Sequence, residues 1–299
     1  MLEARMDVPS GAVVAGFDGS ARSRRAVDWA AGEAERHGAP LLVVAAVRPP
    51  PMVEGGVSPV TEDDVLAPAR REVEAEVARV RREHPGATVD GTAVTGSPAV
   101  VLVRASERAG LVVVGARGHG PFAGSLLGSV SQKVLAHAHG PVVVVDEEAP
   151  SQLPGPVVVG ADPADPPLEA LRYAFDEARR RGVGVVVVSA AERTRTAHPY
   201  SPRVSEFFAS QAAEDQEALR RLVEEMARER GVEAEIRLLP GHPADAILGV
   251  AGTESFVVVG SRGHGGLAGL LLGSVSREVL LRAPVAAVVR VRDRDRAEE

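Results

Sequence analysis

The sequence contains no cysteine, which excludes disulfide staples, thiolate nucleophiles and cysteine-ligated zinc together. Aromatic residues make up only 3%. The cores therefore have to be built from Val, Leu and Ala, and the exposed rings that stack single-stranded bases are in short supply. Lys133 is the only lysine, against 33 arginines, and no GK[ST] triplet occurs. That excludes a P-loop, whose lysine must reach the terminal phosphates. No apolar run approaches the ~20 residues of a membrane span, and the opening MLEARMDVPSG lacks the apolar stretch of an export signal. A net charge of −7 leaves no basic footprint for DNA, RNA or anionic membrane. The expectation is a soluble, cytoplasmic protein with no nucleic-acid or membrane partner.

What is present comes in pairs. A chain of 299 residues suits two domains of about 150 residues each. Short valine-rich runs at 12–17, 41–47, 88–94, 111–114 and 142–145 read as buried strands, and similar runs recur at 156–160, 183–189, 232–239, 256–259 and 285–291. Helical periodicity lies between them. Residues 20–37 place Val27, Ala30, Ala31 and Ala34 on one face and stop at Gly38. In the next helix Leu66, Ala69, Val73, Val77 and Val80 form a buried stripe, matched in the second half by Phe208, Ala212, Leu219, Leu222 and Met226. Ser97-Pro98 reads as a capping serine followed by a first-turn proline. Trp29 and Tyr173 read as core plugs, 48–60 and 192–204 as loops, 147–155 as the linker and 292–299 as a frayed tail. Domains are expected at 1–147 and 155–292. Alternating strands and helices imply an α/β fold with parallel sheets covered on both faces, doubly wound, with a ligand crevice at the strands' C-terminal ends.

The chemistry concentrates in one duplicated element. GARGHGPFAGSLLGS follows the fourth strand of the first half, and GSRGHGGLAGLLLGS occupies the same place in the second, 145 residues on. Gly115 and Gly118, like Gly260 and Gly263, allow close backbone approach. Gly128-Ser129 and Gly273-Ser274 then open a helix whose free N–H groups favour an anion. Arg117 and Arg262 lie inside these loops, where they can pair with terminal phosphates or project into water. One such loop alone would be an ordinary turn; two with the same inner spacing point to phosphate binding. The same stretches satisfy G-x-G-x-x-A, through Ala123 and Ala268. A dinucleotide fingerprint belongs after the first strand, however, with an acid about 20 residues on, and that placement fails here.

Asp18 and Asp162 end the first strand of each half. Their candidate partners are a ribose hydroxyl, an adenine amino group or a bridging Mg²⁺; a helix N-cap or Asx turn is the plain alternative. His119 and His264 read as solvated loop residues. No HExxH or other metal-ligand spacing occurs, and no nucleophile–base pair stands out.

In these residues the chain resembles the universal stress protein family, in particular its tandem-domain members. The resemblance covers nearly the whole chain twice over. It rests on VVAGFDGS at the first strand, TGSP before the third helix, and G-x₂-G-x₉-G-[ST], the mark of the ATP-binding branch. That mark is carried by Gly115, Gly118, Gly128 and Ser129, and by Gly260, Gly263, Gly273 and Ser274. The resemblance implies five-stranded parallel sheets of order 3-2-1-4-5 and ATP at the strand ends. It also implies dimers joined through the fifth strand, a pairing that tandem halves can supply within one chain or two chains as a homodimer. By the same resemblance Asp18 and Asp162 hold the adenosine, and Gly16 and Phe17 line the base, with Gly160 matching Gly16. Ala46 and Ala190 face adenine, while Val130 and Val275 follow the phosphate serine. Departures are the ADPADPP loop at Asp162 and Ala286 in place of Pro141.

Three functions follow as expectations. The first is an ATP-binding regulator in which occupancy switches conformation or partner, with slow or no hydrolysis. The second is an enzyme: a slow ATPase, or an adenylyl-transferring relative of the α-hydrolases, whose SGGxDS loop is replaced here by GFDGSARS. The third is an assembly module with vestigial pockets.

Overall fold

A computed structural model describes residues 6–48, 61–116, 127–191, 202–261 and 272–290. The chain divides into two compact units, Met1–Ser151 and Gln152–Glu299. The first runs β1 (Val13–Gly16), α1 (Ala21–His37), β2 (Leu41–Val47), α2 (Glu62–Glu83), β3 (Val89–Thr95), α3 (Pro98–Ala105), β4 (Leu111–Gly115), α4 (Ser129–His137) and β5 (Val142–Val145). The second runs β6 (Val157–Gly160), α5 (Leu168–Arg181), β7 (Val185–Ala191), α6 (Pro202–Arg230), β8 (Ala234–Pro240), α7 (Pro243–Ala251), β9 (Phe256–Gly260), α8 (Ser274–Arg282) and β10 (Val285–Val289).

Each unit holds five parallel strands, ordered β3-β2-β1-β4-β5 in the first and β8-β7-β6-β9-β10 in the second. Both are the expected 3-2-1-4-5. Strands covered on both faces read as continuous apolar runs rather than alternations, and Val112–Val114, Val142–Val145 and Val157–Val159 are accordingly almost fully buried. Right-handed crossovers put α1 and α2 on one face and α3 and α4 on the other, because the order reverses after β3. β1 and β4 flank that reversal in the first unit, and β6 and β9 in the second.

The helix boundaries have local causes. Ser20 caps α1 by accepting a hydrogen bond from the Ser23 N–H at 3.1 Å, and Gly38 ends it in the left-handed region at φ 61°. Thr61 and Asp64 form a reciprocal capping box at the start of α2. Ser97 departs from expectation. Its hydroxyl makes no capping bond, so α3 opens on Pro98 alone, whose ring presets the helical φ. Residues 202–204, expected as loop, are the first turn of α6.

The second helices of the two units pack differently. α2 lies close over β2 and β3, tied to α1 by Arg79, which bridges Glu76 and Asp28 at 2.6 and 2.5 Å. Hydrogen bonding to Glu76 above all raises the Arg79 pKa further above its usual value. The close approach requires Gly91, where a Cβ would lie 2.4 Å from Val73 Cγ1 and 2.7 Å from Val77 Cγ2. Gly91 pairs with Val43, and in the second unit the position paired with Val187 is Ile236. There α6 packs less closely on its edge strand, and β8 is exposed along most of its length. Of the expected α6 stripe, Leu219 and Met226 are buried, whereas Phe208 is 48% exposed, because the first turns of α6 precede the part that rests on the core.

Candidate functional site

The C-terminal ends of β1 and β4 face the start of α1 on one side and of α4 on the other. The α4 side is tightly specified. The Gly128 N–H donates to the Ala116 carbonyl at 2.8 Å, closing the base of the loop between them. Gly128 is the N-cap of α4 in extended conformation (φ −64°, ψ 150°), and no side chain caps the helix. The Ser129, Val130 and Ser131 N–H groups form its first turn, where helix geometry supplies no carbonyl partner. Ser129 is exposed and Val130 half-buried. Ser131 is buried, and its hydroxyl donates to the Gly115 carbonyl at 2.7 Å, pinning the strand end to the helix.

The second unit repeats this almost bond for bond. Gly273 donates to the Ser261 carbonyl at 2.8 Å, and the uncapped N-cap Gly273 has φ −65° and ψ 154°. Ser276 donates to the Gly260 carbonyl at 2.6 Å. Ser274 is exposed and Val275 half-buried. The two pinning serines were not singled out from the sequence, although GSVS stands at both 128–131 and 273–276. Arg117, Gly118, Arg262 and Gly263, together with His119, His264, Ala123 and Ala268, lie outside the described residues.

The opposite wall differs between the units. The Asp18 Oδ1 accepts from the Ser20 N–H at 3.1 Å and the Ser20 hydroxyl at 2.6 Å, an Asx turn leading into α1. The Ser23 hydroxyl lies 3.3 Å from the Asp18 N–H and donates to the Ser20 carbonyl at 2.9 Å. Gly19 sits at φ 80°, a left-handed conformation natural to glycine. Glu72 of α2 reaches it: a Cβ on Gly19 would lie 2.9 Å from the Glu72 Oε2.

Asp162 keeps the Asx turn, its Oδ1 accepting from the Ala164 N–H at 3.1 Å. Position 19, however, becomes Pro163, whose ring fixes φ near −65°. The chain instead makes a bridge between Asp162 and Asp165. α5 begins only at Leu168, after the uncapped Pro167. The turn that Ser20 and Ser23 build in the first unit therefore has no counterpart in the second. This is the physical content of the ADPADPP departure.

The residues expected to line the base occupy mixed settings. Phe17 is buried, its N–H bonded to the Val44 carbonyl at 2.9 Å. At Gly16 the missing side chain points to α3, where a Cβ would lie 2.9 Å from Leu102 Cδ1; at Gly160 it would lie 2.5 Å from Ile247 Cδ1 of α7. Both glycines are thus explained by helix–sheet packing. Ala46 and Ala190 are half-buried near the ends of β2 and β7. A separate groove of about 740 Å³ runs along β3, lined in part by Asp7, Glu62, Asp63, Arg70 and Asp90. It lies two strands from the reversal point and does not include the α4 start.

This duplicated geometry has known relatives. The model of the universal stress protein family matches residues 10–146 and again 155–292. The chain belongs to the universal stress protein family. A universal stress protein of Mycobacterium tuberculosis is 33% identical over 308 residues, covering 93% of this chain and 94% of its own. One from Mycolicibacterium smegmatis is 35% identical over 291 residues, covering 93% and 96%. Among solved structures, a universal stress protein from Archaeoglobus fulgidus matches with a TM-score of 0.67 at 23% identity, over 94% of this chain and 98% of that one. The two Usp domains in tandem, each an α/β unit, are the architecture of the fold described above. Among the described residues, no helix is long and apolar enough to cross a membrane.

Proposed function

We propose that the protein is an ATP-binding regulator with one nucleotide site in each domain, residues 1–147 and 155–292. The observation that carries this reading is the uncapped start of α4, repeated at α8. In both, the first-turn N–H groups stand at the reversal point of the sheet behind a loop closed by one backbone bond. Helix N-termini in this position hold phosphate oxygens through backbone donors and the helix dipole. The loop glycines Gly118 and Gly263 would admit the phosphate chain, with Arg117 and Arg262 beside it. Asp18 and Asp162 would take the ribose, Ala46 and Ala190 would face adenine, and Mg²⁺ would bridge the phosphates to a carboxylate where it is needed. Occupancy, rather than turnover, is the output. A cytoplasmic homodimer is part of the same proposal.

The test is to denature the purified protein and identify any released nucleotide by chromatography and mass, then titrate the emptied protein with Mg-ATP. Gly118→Val combined with Gly263→Val is expected to abolish binding. Protein that carries no nucleotide and ignores added Mg-ATP refutes the proposal. Turnover of several per second, approaching the ordinary enzymatic rate of about 10 s⁻¹ and lost in Asp18→Ala, would replace regulation by catalysis.

A further inference from the structure

The first turns of α1 carry two sets of contacts that no part of the nucleotide reading explains together. On one side Ser20 and Ser23 fasten the helix to Asp18 at the crevice. On the other, Arg22 and Arg25, one turn apart, hold the segment that leaves β5 toward the second unit. The Arg22 Nε lies 2.9 Å from the Glu147 Oε2. Arg25 donates to the Ala149 carbonyl from Nε at 2.9 Å and again from Nη2. That segment is itself a formed turn. The Asp146 Oδ1 accepts from the Glu148 N–H at 3.1 Å, and the Asp146 carbonyl accepts from the Ala149 N–H at 3.2 Å. Ala149 is buried. Eight residues, from Asp18 to Arg25, therefore connect the crevice to the linker without a break.

We infer that nucleotide occupancy of the first crevice and latching of the 146–151 linker onto α1 are positively coupled, so that the linker is a strap reporting the state of that site. This rests on the nucleotide reading above. The coupling is physical. Both events need the first turn of α1 in its capped form, and whichever comes first bears the ordering cost that the second then avoids. Reciprocity follows from linkage: if nucleotide tightens the strap, loosening the strap must weaken nucleotide by the same factor. The second unit lacks the Ser20–Ser23 turn, so the coupling belongs to the first site.

The experiment uses the intact chain, with amide exchange at residues 146–153 and ATP affinity measured in parallel. ATP is expected to slow exchange of the Glu148 and Ala149 amides in the wild type. Arg25→Ala is expected to remove that ATP-dependent slowing and to weaken ATP by about fivefold, the low end of typical site–site couplings. Glu147→Gln, at an exposed position, is expected to shift both readouts the same way by less, and it guards against a folding defect in Arg25→Ala. Unchanged ATP affinity in both variants overturns the inference, as does an ATP-dependent slowing that survives Arg25→Ala. Ser20→Ala in nucleotide-free protein separates this from failure of the nucleotide reading. If the wild type binds no ATP, linker exchange that rises in Ser20→Ala upholds the mechanical connection, and linker exchange that stays unchanged overturns it.

Discussion

The two crevices share one wall and differ in the other. On the side of α4 and α8, the closing backbone bond, the extended glycine cap and the serine that pins the strand end agree to about 0.1 Å between copies. On the side of α1 and α5, Pro163 replaces Gly19, the capping Ser20 and Ser23 have no counterpart, and the helix begins only at Leu168. Backbone donors at a helix start tolerate little change, because each one's position is set by one short run of chain. The opposing wall supplies a carboxylate in each copy. Asp18 and Asp162 both do so from the same Asx turn, despite different surroundings.

The comparison can be broken most severely away from the crevice. Gly91→Ile, which installs the residue of the second unit, is expected to destabilise the first by up to about 3 kcal/mol through overpacking against Val73 and Val77. Trp29 is the only tryptophan, so fluorescence-monitored urea unfolding reads the first unit alone. An unchanged midpoint would mean that α2 is not held at close range by this glycine. Gly19→Pro should cost about 2 kcal/mol by the same readout, since proline cannot adopt φ 80°. It should also weaken nucleotide in the first crevice; affinity equal to wild type would show that the Asp18 turn is irrelevant to the ligand.

Ser131→Ala and Ser276→Ala should each cost about 1 kcal/mol, the loss of one part-buried hydrogen bond to a strand-end carbonyl. Hydrogen exchange measured separately in α4 and α8 should respond alike. Clearly unequal responses would show that the shared wall is shared in form only.

The smallest effect concerns a tie found in the second unit. Arg282 lies 2.6 Å from Asp245, joining α7 and α8, and its hydrogen bond holds the Asp245 carboxyl below the ordinary aspartate value. Position 100, the counterpart of Asp245, is a half-exposed valine. A carboxyl depressed in the folded state stabilises above its unfolded pKa, near 3.8, and loses that contribution as pH falls through the lower folded value. Acid titration of α7 exchange should therefore show a slight loosening below about pH 4 that Arg282→Ala abolishes. An identical acid profile in the variant would mean the exposed pair contributes nothing.

Much of this was legible in the sequence because valine runs and glycine spacing state their purpose locally. The doubly wound parallel sheet followed from alternation and handedness, its strand order from the family resemblance, and the start of α4 from Gly128-Ser129. What was not legible depended on partners far along the chain. The need for glycine at position 91 appears only when α2 is laid over β3. The missing side chain of Gly16 points to Leu102 of α3, so a residue that the family resemblance places at the ligand also has a packing role. Phe208 matched the helical stripe by spacing, yet periodicity does not say how far a helix extends beyond the sheet it covers. Pro163 and Pro167 announced a different loop, but not that the Asx turn at Asp162 would survive it.

The single bond from Gly128 to the Ala116 carbonyl, with its twin from Gly273 to Ser261, has a consequence for tolerance of change. It makes the stretch between its ends a cassette whose entry and exit are fixed independently of what lies inside. Doubling the length of such a closed excursion costs only about 0.6 kcal/mol. A change of sequence or length between those ends is therefore expected to leave the strand before it and the helix after it undisturbed.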